Sequence, residues 1–295
     1  MKLYTIIKKI ILKILKSFLY FYTKSYPNNS LIKTLKNGYK FKTIVHVLKQ
    51  ANNLNNHIIS KKSYIYITGL PKTGGAYLTR ALRNSLSPYL QGDDVMMDES
   101  IPNFDYFDKY NEKRCIMEFN QITSWINNYY PSYSLIVKKN SSAALRPDIL
   151  YNYYGNSLKH IIFTIRKPSE NYRSWKYNSN VKLSSFKLYR NSHENFFSDA
   201  EKFIDFYIEY HSTFLKNLNE EIIKKIKIVH FGNQNKILKE LTSMYPKVNP
   251  IKLEGIINRS KKINSHPYFD SSKCHKKIKN LEDRFLNFGF KVTLL

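Results

Sequence analysis

Residues 64–86 read YIYITGLPKTGGAYLTRALRNSL. Tyr64 to Thr68 is a short apolar run of aromatic and β-branched residues closed by glycine, the pattern of a buried strand. Gly69-Leu70-Pro71-Lys72-Thr73-Gly74-Gly75 follows as a turn, and the spacing predicts a helix over 75–87. A glycine-rich turn between strand and helix makes an anion site. The first N–H groups of the helix have no intrahelical partner and carry the positive end of its dipole. Lys72 adds a full charge and Thr73 a hydroxyl. The nucleoside-triphosphate loop, G-x-x-x-x-G-K-[ST], sets its lysine after the last glycine and follows it with a magnesium-binding hydroxyl. Here Lys72 precedes the last glycines, and Gly75-Ala76 supplies no hydroxyl. That disfavours a kinase or NTPase.

Outward from this stretch, strand patterns recur at YSLIVKK (133–139), KHIIFTI (159–165) and KKIKIVHF (224–231). Helical spacing falls between them, at 115–128, in SAALRPDILYNYY (142–154), and from Pro168, which suits a first helical turn. A long helix opens near 198–199 with Ser198 or Asp199 as its cap. Further helices are expected at 233–246 and 270–288, and QGDDVMMDES (91–100) reads as a polar loop. Strands alternating with helices imply an α/β fold, a parallel sheet covered on both faces. Ligands of such sheets sit beyond the carboxyl ends of the strands. The 69–75 turn lies at one such end, and Arg166 at another.

The chain has 295 residues, 42% apolar and 15% aromatic, enough for one large core or a core with an appendage. The formal net charge of +26 favours anionic partners. Lys, Asn, Ile, Tyr and Phe share AT-rich codons, so part of the lysine excess is compositional. No arginine-rich arm, zinc-ligand spacing or RNA-binding aromatic signature is present, and nucleic acid is not the expected partner. Cys115 and Cys274 are distant and carry no metal spacing, which fits reduced core thiols and a cytoplasmic location.

Residues 1–26 carry Lys8, Lys9, Lys13 and Lys16 at helical spacing, with Ile6, Ile7, Ile10, Ile11, Ile14, Phe18 and Phe21 on the other side. Lys13 and Lys16 interrupt any window of about 20 uncharged residues, so a spanning helix is not expected. Two dispositions fit: a basic amphipathic helix lying on an anionic membrane surface, peripheral on its inner face, or a helix packed on the protein's own core. Residues 1–58 are expected to form a helical, basic amphipathic N-terminal extension, and 59–295 the main domain.

A second segment, IIFTIRKPSENYRSW (161–175), sets Arg166 just past a strand and Ser174 eight residues later. A guanidinium fork and a nearby hydroxyl suit a phosphate. Together, PKTGGAYL (71–78) and this segment resemble the sulfotransferases that use 3′-phosphoadenosine 5′-phosphosulfate (PAPS). PKTGGAYL resembles their 5′-phosphosulfate loop, P-K-[ST]-G-T-T-x-L, and Arg166, Pro168 and Ser174 resemble their 3′-phosphate motif, with Lys167 in place of its Asn or Asp. The resemblance spans roughly residues 62 to 245. It implies a P-loop-like sulfotransferase fold, PAPS as donor without a metal, and transfer of a sulfuryl group to a hydroxyl or amine. A carbohydrate or lipid-linked glycan is the expected acceptor.

Carried over residue by residue, the resemblance gives Lys72 the 5′-phosphate and the bridging oxygen. The backbone of Thr73, Gly74, Gly75, Ala76 and Tyr77 would cradle that phosphate, with the Tyr77 ring available to adenine. Arg166 and Ser174 would hold the 3′-phosphate. Lys138, in the stretch that resembles the family's Lys-Thr-His strand, would touch the transferring group. Asn140 stands where cytosolic members carry a histidine, and it cannot take a proton. Glu99 lies where glycan-modifying members place a glutamate base, with Glu118 as another option. Gly75-Ala76 replaces the usual Thr-Thr and removes two hydroxyl donors, so a catalytically degenerate nucleotide- or polyanion-binding member is the alternative.

Overall fold

The computed structural model describes residues 2–23, 41–51, 62–86, 95–97, 111–129, 135–141, 143–178, 199–243 and 266–295. The elements are α1 (Lys2–Thr23), α2 (Phe41–Ala51), β1 (Ser63–Thr68), α3 (Gly75–Leu86), β2 (Val95–Met97), α4 (Glu112–Tyr129), β3 (Leu135–Lys139), α5 (Pro147–Tyr154), β4 (Leu158–Ile165), α6 (Pro168–Asn178), α7 (Ala200–Lys216), α8 (Glu220–Ile223), β5 (Ile226–His230), α9 (Gln234–Ser243) and α10 (Ser272–Asn287). They fall into two compact units, Met1–Lys61 with Asp98–Tyr133, and Lys62–Met97 with Ser134–Leu295. The boundary expected near residue 58 thus has a second part, because α4 is grouped with the N-terminal helices. In that first unit α2 lies against α4 and α1 against α2. Each brings an apolar stripe at helical spacing: Ile44 and Leu48 on α2, and Cys115, Phe119, Ile122 and Ile126 on α4, all buried.

The second unit is α/β. Among the described residues its five strands are all parallel, in the order β2-β3-β1-β4-β5. Val95–Met97, expected within a loop, is a strand paired with Leu135–Val137. Three apolar residues inside an acidic stretch carry no local strand signal; their pairing partner makes them one. Pro147, read within a helix, opens α5 at a first-turn position, where its missing N–H costs nothing. Asp199 caps α7, accepting from Glu201 N and Lys202 N.

The sheet has two different faces. Ile65 and Ile67 of β1, Leu135 and Val137 of β3, Ile162 of β4 and Val229 of β5 form an aliphatic cluster with Leu78, Ala81 and Leu82 of α3 and Ile237, Leu238 and Leu241 of α9. The alternate positions face an aromatic layer. The Tyr64 ring lies 4.2 Å from that of Tyr154 on α5, and the Tyr66 and Tyr154 hydroxyls are 2.9 Å apart. Phe163 of β4 stacks at 4.0 Å on Phe214 of α7, with His211 and Phe285 beside it. Full burial of each such ring stabilises by roughly 1.5–3 kcal/mol. The alternation of strand residues therefore sends α3 and α9 to one face and α5 and α7 to the other.

His211 is fully buried in the aromatic layer. Its Nδ1 lies 2.7 Å from the Tyr207 carbonyl, which can only accept, so Nδ1 carries the proton and Nε2 presents a lone pair without a partner. Burial lowers its pKa to about 4. Below the ordinary value of 6.5 the unfolded chain takes up a proton that the folded chain refuses. Stability is therefore expected to fall as the pH drops from about 6.5 towards 4, by on the order of 3 kcal/mol. Denaturation midpoints across that range should flatten in His211→Phe; an unchanged slope would contradict this.

Candidate functional site

β1 sits between β3 and β4. The chain leaves β1 into α3 on the aliphatic face, and leaves β4 into α6 and α7, with α7 on the aromatic face. Neighbouring strands whose exits diverge in this way open a crevice at their carboxyl ends. The turn 69–75 and Arg166 both lie there, and the side chains bring them together. Arg166 Nη1 donates to the Lys72 carbonyl at 3.3 Å, and Asn171 Nδ2 to the Pro71 carbonyl at 3.1 Å. α6 thus holds the turn by its backbone.

The turn has a special backbone. Lys72 has φ 70, the one non-glycine in the left-handed region among the described residues. For an L-residue this costs about 1–2 kcal/mol and aims the side chain away from the path an ordinary turn would give it. Gly69 (φ 122) and Gly74 (φ 91) flank it. A Cβ on Gly74 would stand 2.6 Å from Gln234 Nε2 and 3.0 Å from Phe231 Cδ2, so the segment after β5 also closes on the turn. Phe231 is tied to β4 by its N–H, which donates to the Ile165 carbonyl at 2.8 Å.

Thr73, expected to offer its hydroxyl to a ligand, is buried and turned inward. Its Oγ1 lies 2.6 Å from the Leu70 carbonyl and 2.7 Å from Thr164 Oγ1, which itself donates to the Thr68 carbonyl. The two hydroxyl protons are shared among three oxygen–oxygen contacts, within the turn, to β1 and between the two threonines, so neither is left over for a ligand. The Thr73 side chain is scaffold, and the backbone is what the turn presents. Ala76 is exposed in the first turn of α3 and Tyr77 half-buried, while Gly75 is buried.

Arg166 is only 7% exposed. Its Nε donates to Glu170 Oε2 at 3.1 Å, and its guanidinium lies 3.9 Å over the Phe231 ring. Glu170, one helical turn into α6, and the ring fix the plane of the fork; the remaining N–H donors are uncommitted. Ser174 is buried, and its Oγ has no hydrogen-bond partner within the protein. Asn171, three residues earlier and so on the same helical face, is buried with Oδ1 likewise unpartnered. Both atoms lie on the helix that follows Arg166, and a polar ligand reaching them would supply the missing bonds. Tyr207 steadies the same point by donating to the Arg166 carbonyl at 2.7 Å.

Lys138, expected to touch the transferring group, lies on the face of the sheet opposite α3. In register with Tyr66, it belongs to the aromatic face and is 1% exposed. Lys139, in register with Ile67, lies on the aliphatic face with Leu135 and Val137. Its Cε is 3.4 Å from where a Cβ on Gly75 would stand. The lysine beside the turn is therefore Lys139, and strict strand alternation is the sequence signal for it. Phe231 and Asn171 carry no local signal in the sequence; Glu170 has one, its four-residue spacing from Arg166. Asn140 is structural: its N–H donates to Ile67, its carbonyl accepts from Thr68 Oγ1, and its Oδ1 accepts from Ala143 N. Glu99 lies outside the described residues. Glu118 is buried on α4, in the first unit. Cys115 and Cys274 are buried and neither forms a disulfide; burial pushes the Cys274 thiol up to about 11. Lys167 faces solvent and its amine donates to the Leu295 carbonyl.

Compared with protein-family models and with curated protein sequences, the chain matches none.

Proposed function

We propose that the second unit binds a nucleotide carrying two separate phosphate groups, and that the chain is a sulfotransferase using PAPS as donor. The observation that carries this reading is the Arg166–Lys72 contact. It joins the two segments on which the resemblance to PAPS-dependent sulfotransferases rests at one end of the sheet. The unpartnered hydroxyl of Ser174 supports it, being a buried donor on the helix that also anchors the turn.

In this reading the first N–H groups of α3 and the Lys72 ammonium take the 5′-phosphate. Arg166 and Ser174 take the 3′-phosphate. The acceptor oxygen bonds to sulfur as the bond from sulfur to the bridging oxygen breaks. Its proton passes to a base, and the electron pair stays on the departing phosphate. Lys72 and Lys139 lower the barrier by meeting that developing charge, the kind of electrostatic term that dominates such transfers. In this reading the Lys139 ammonium stands in for the hydroxyl donors that Gly75-Ala76 lacks, its stem lying beside Gly75. The acceptor is a hydroxyl or amine, a carbohydrate or lipid-linked glycan in the first instance.

The inward-turned Thr73 and the buried Lys138 favour a second reading, a nucleotide- or polyanion-binding member without transfer. Incubation of the full chain with sulfur-labelled PAPS and a pool of glycans and glycolipids separates the two. Label in an acceptor is the expected result. Binding of adenosine 3′,5′-bisphosphate with no transfer to any acceptor would establish the second reading instead.

A further inference from the structure

The helix α1 carries its apolar residues on two sides. At 100° per residue, Ile6, Ile7, Ile10, Ile11 and Ile14 lie with Phe18 and Phe21 in an arc of roughly 140°. Leu19 lies roughly opposite that arc, and Leu15 between Leu19 and the arc's edge. Leu19 is fully buried and Leu15 partly so, which identifies the side that packs against the first unit. The isoleucine arc points away from it: Ile6 is 52%, Ile10 53% and Ile14 58% exposed. Among the described residues of the first unit, that arc is not packed on a core. Lys9 and Lys13, both exposed, and the half-buried Lys16 occupy the flank between the two apolar sides.

From this arrangement we infer that α1 is a docking face for an anionic lipid surface, lying flat with the isoleucine arc below the headgroups. A ridge this apolar in water is costly, since each large aliphatic side chain gains by being withdrawn from water. The occupant follows from charge. The chain is +26 overall, and its exposed lysines border the arc itself. Two copies meeting through the arc would bring these lysine flanks and two large positive charges together, whereas phosphate headgroups meet the same flank with the opposite sign. Lysine stems reach upward from such a depth while their ammonium groups stay at the headgroup level. No helix among the described residues is long and apolar enough to cross a membrane, so the geometry is a helix on the surface. The inference is independent of the transfer reading.

The test is co-sedimentation of the full chain with vesicles of phosphatidylglycerol in phosphatidylcholine and with vesicles of phosphatidylcholine alone. The expected result is binding to the anionic vesicles that weakens with salt. Ile10→Asp with Ile14→Asp should reduce it by about tenfold or more. Lys9→Glu with Lys13→Glu should cost at least about fivefold per lysine and flatten the salt dependence. All four positions are exposed, so thermal melts should be unchanged. Absence of vesicle binding, or equal binding by the isoleucine variant, overturns the inference. So does a dimer in solution that Ile10→Asp with Ile14→Asp dissociates while vesicles remain unbound, which would make a second copy the occupant.

Discussion

Gly69→Ala is expected to destabilise the second unit by on the order of 4 kcal/mol and to remove anion binding with it. A Cβ there would sit 2.2 Å from the Thr164 carbonyl oxygen and 2.7 Å from Thr164 Oγ1, at φ 122. Neither obstacle is a flexible side-chain end. The carbonyl belongs to β4 in the middle of the sheet, and Thr164 Oγ1 is the atom that links Thr73 to Thr68. Relief requires moving the turn off β4, which breaks those hydroxyl contacts and displaces the Lys72 carbonyl from Arg166. Gly75→Ala is the matched control. Its Cβ would meet Lys139 Cε at 3.4 Å and Ile67 Cγ2 at 3.5 Å, ordinary contacts, and it should shift stability by less than about 1 kcal/mol. Urea denaturation of both variants decides the matter. A Gly69→Ala midpoint equal to that of the parent chain would mean the turn does not press on β4 as described.

Lys72→Gly is expected to separate the fold of the turn from its charge. Glycine adopts φ 70 without the steric cost a lysine bears, and the unfolded chain gains freedom, so the two effects offset to within about 1 kcal/mol. The fold should persist. The ammonium is gone, however, and with it a charged hydrogen bond worth about 1.5–3 kcal/mol, so donor binding should weaken by roughly 10- to 100-fold. Transfer should fall further, by on the order of a hundredfold or more in rate, because the lost charge meets the leaving phosphate only as it develops. Lys72→Ala would confound the two by keeping the strained backbone. If Lys72→Gly bound donor as the parent does, the amine would have no part in the site.

Much of this architecture was legible because its signals are local. The strand–turn–helix at 64–86, the proline opening α6 and the aspartate capping α7 each depend on residues within a few positions of one another. β2 was not legible, since Val95–Met97 becomes a strand only through pairing with Leu135–Val137 some forty residues on. The grouping of α4 with the N-terminal helices is equally non-local. At the site, the resemblance pointed to Lys138, whereas the alternation of Leu135, Val137 and Lys139 points to Lys139. The two readings differ by one residue and therefore by a whole face of the sheet. The hydroxyl of Thr73 could not be read correctly from the turn alone, because its partner Thr164 stands on another strand.

The most direct measurement is calorimetric titration of the full chain and of Arg166→Gln with adenosine 3′,5′-bisphosphate and with adenosine 5′-phosphate. The parent chain is expected to bind the bisphosphate more tightly. Arg166→Gln should lose that advantage, since the arginine and the 3′-phosphate would be partners and their removals would not add; because the arginine also holds the Lys72 carbonyl, the 5′-phosphate should weaken too, but by less than the bisphosphate. Equal weakening of both ligands by Arg166→Gln, or no preference for the bisphosphate in the parent chain, would contradict the account.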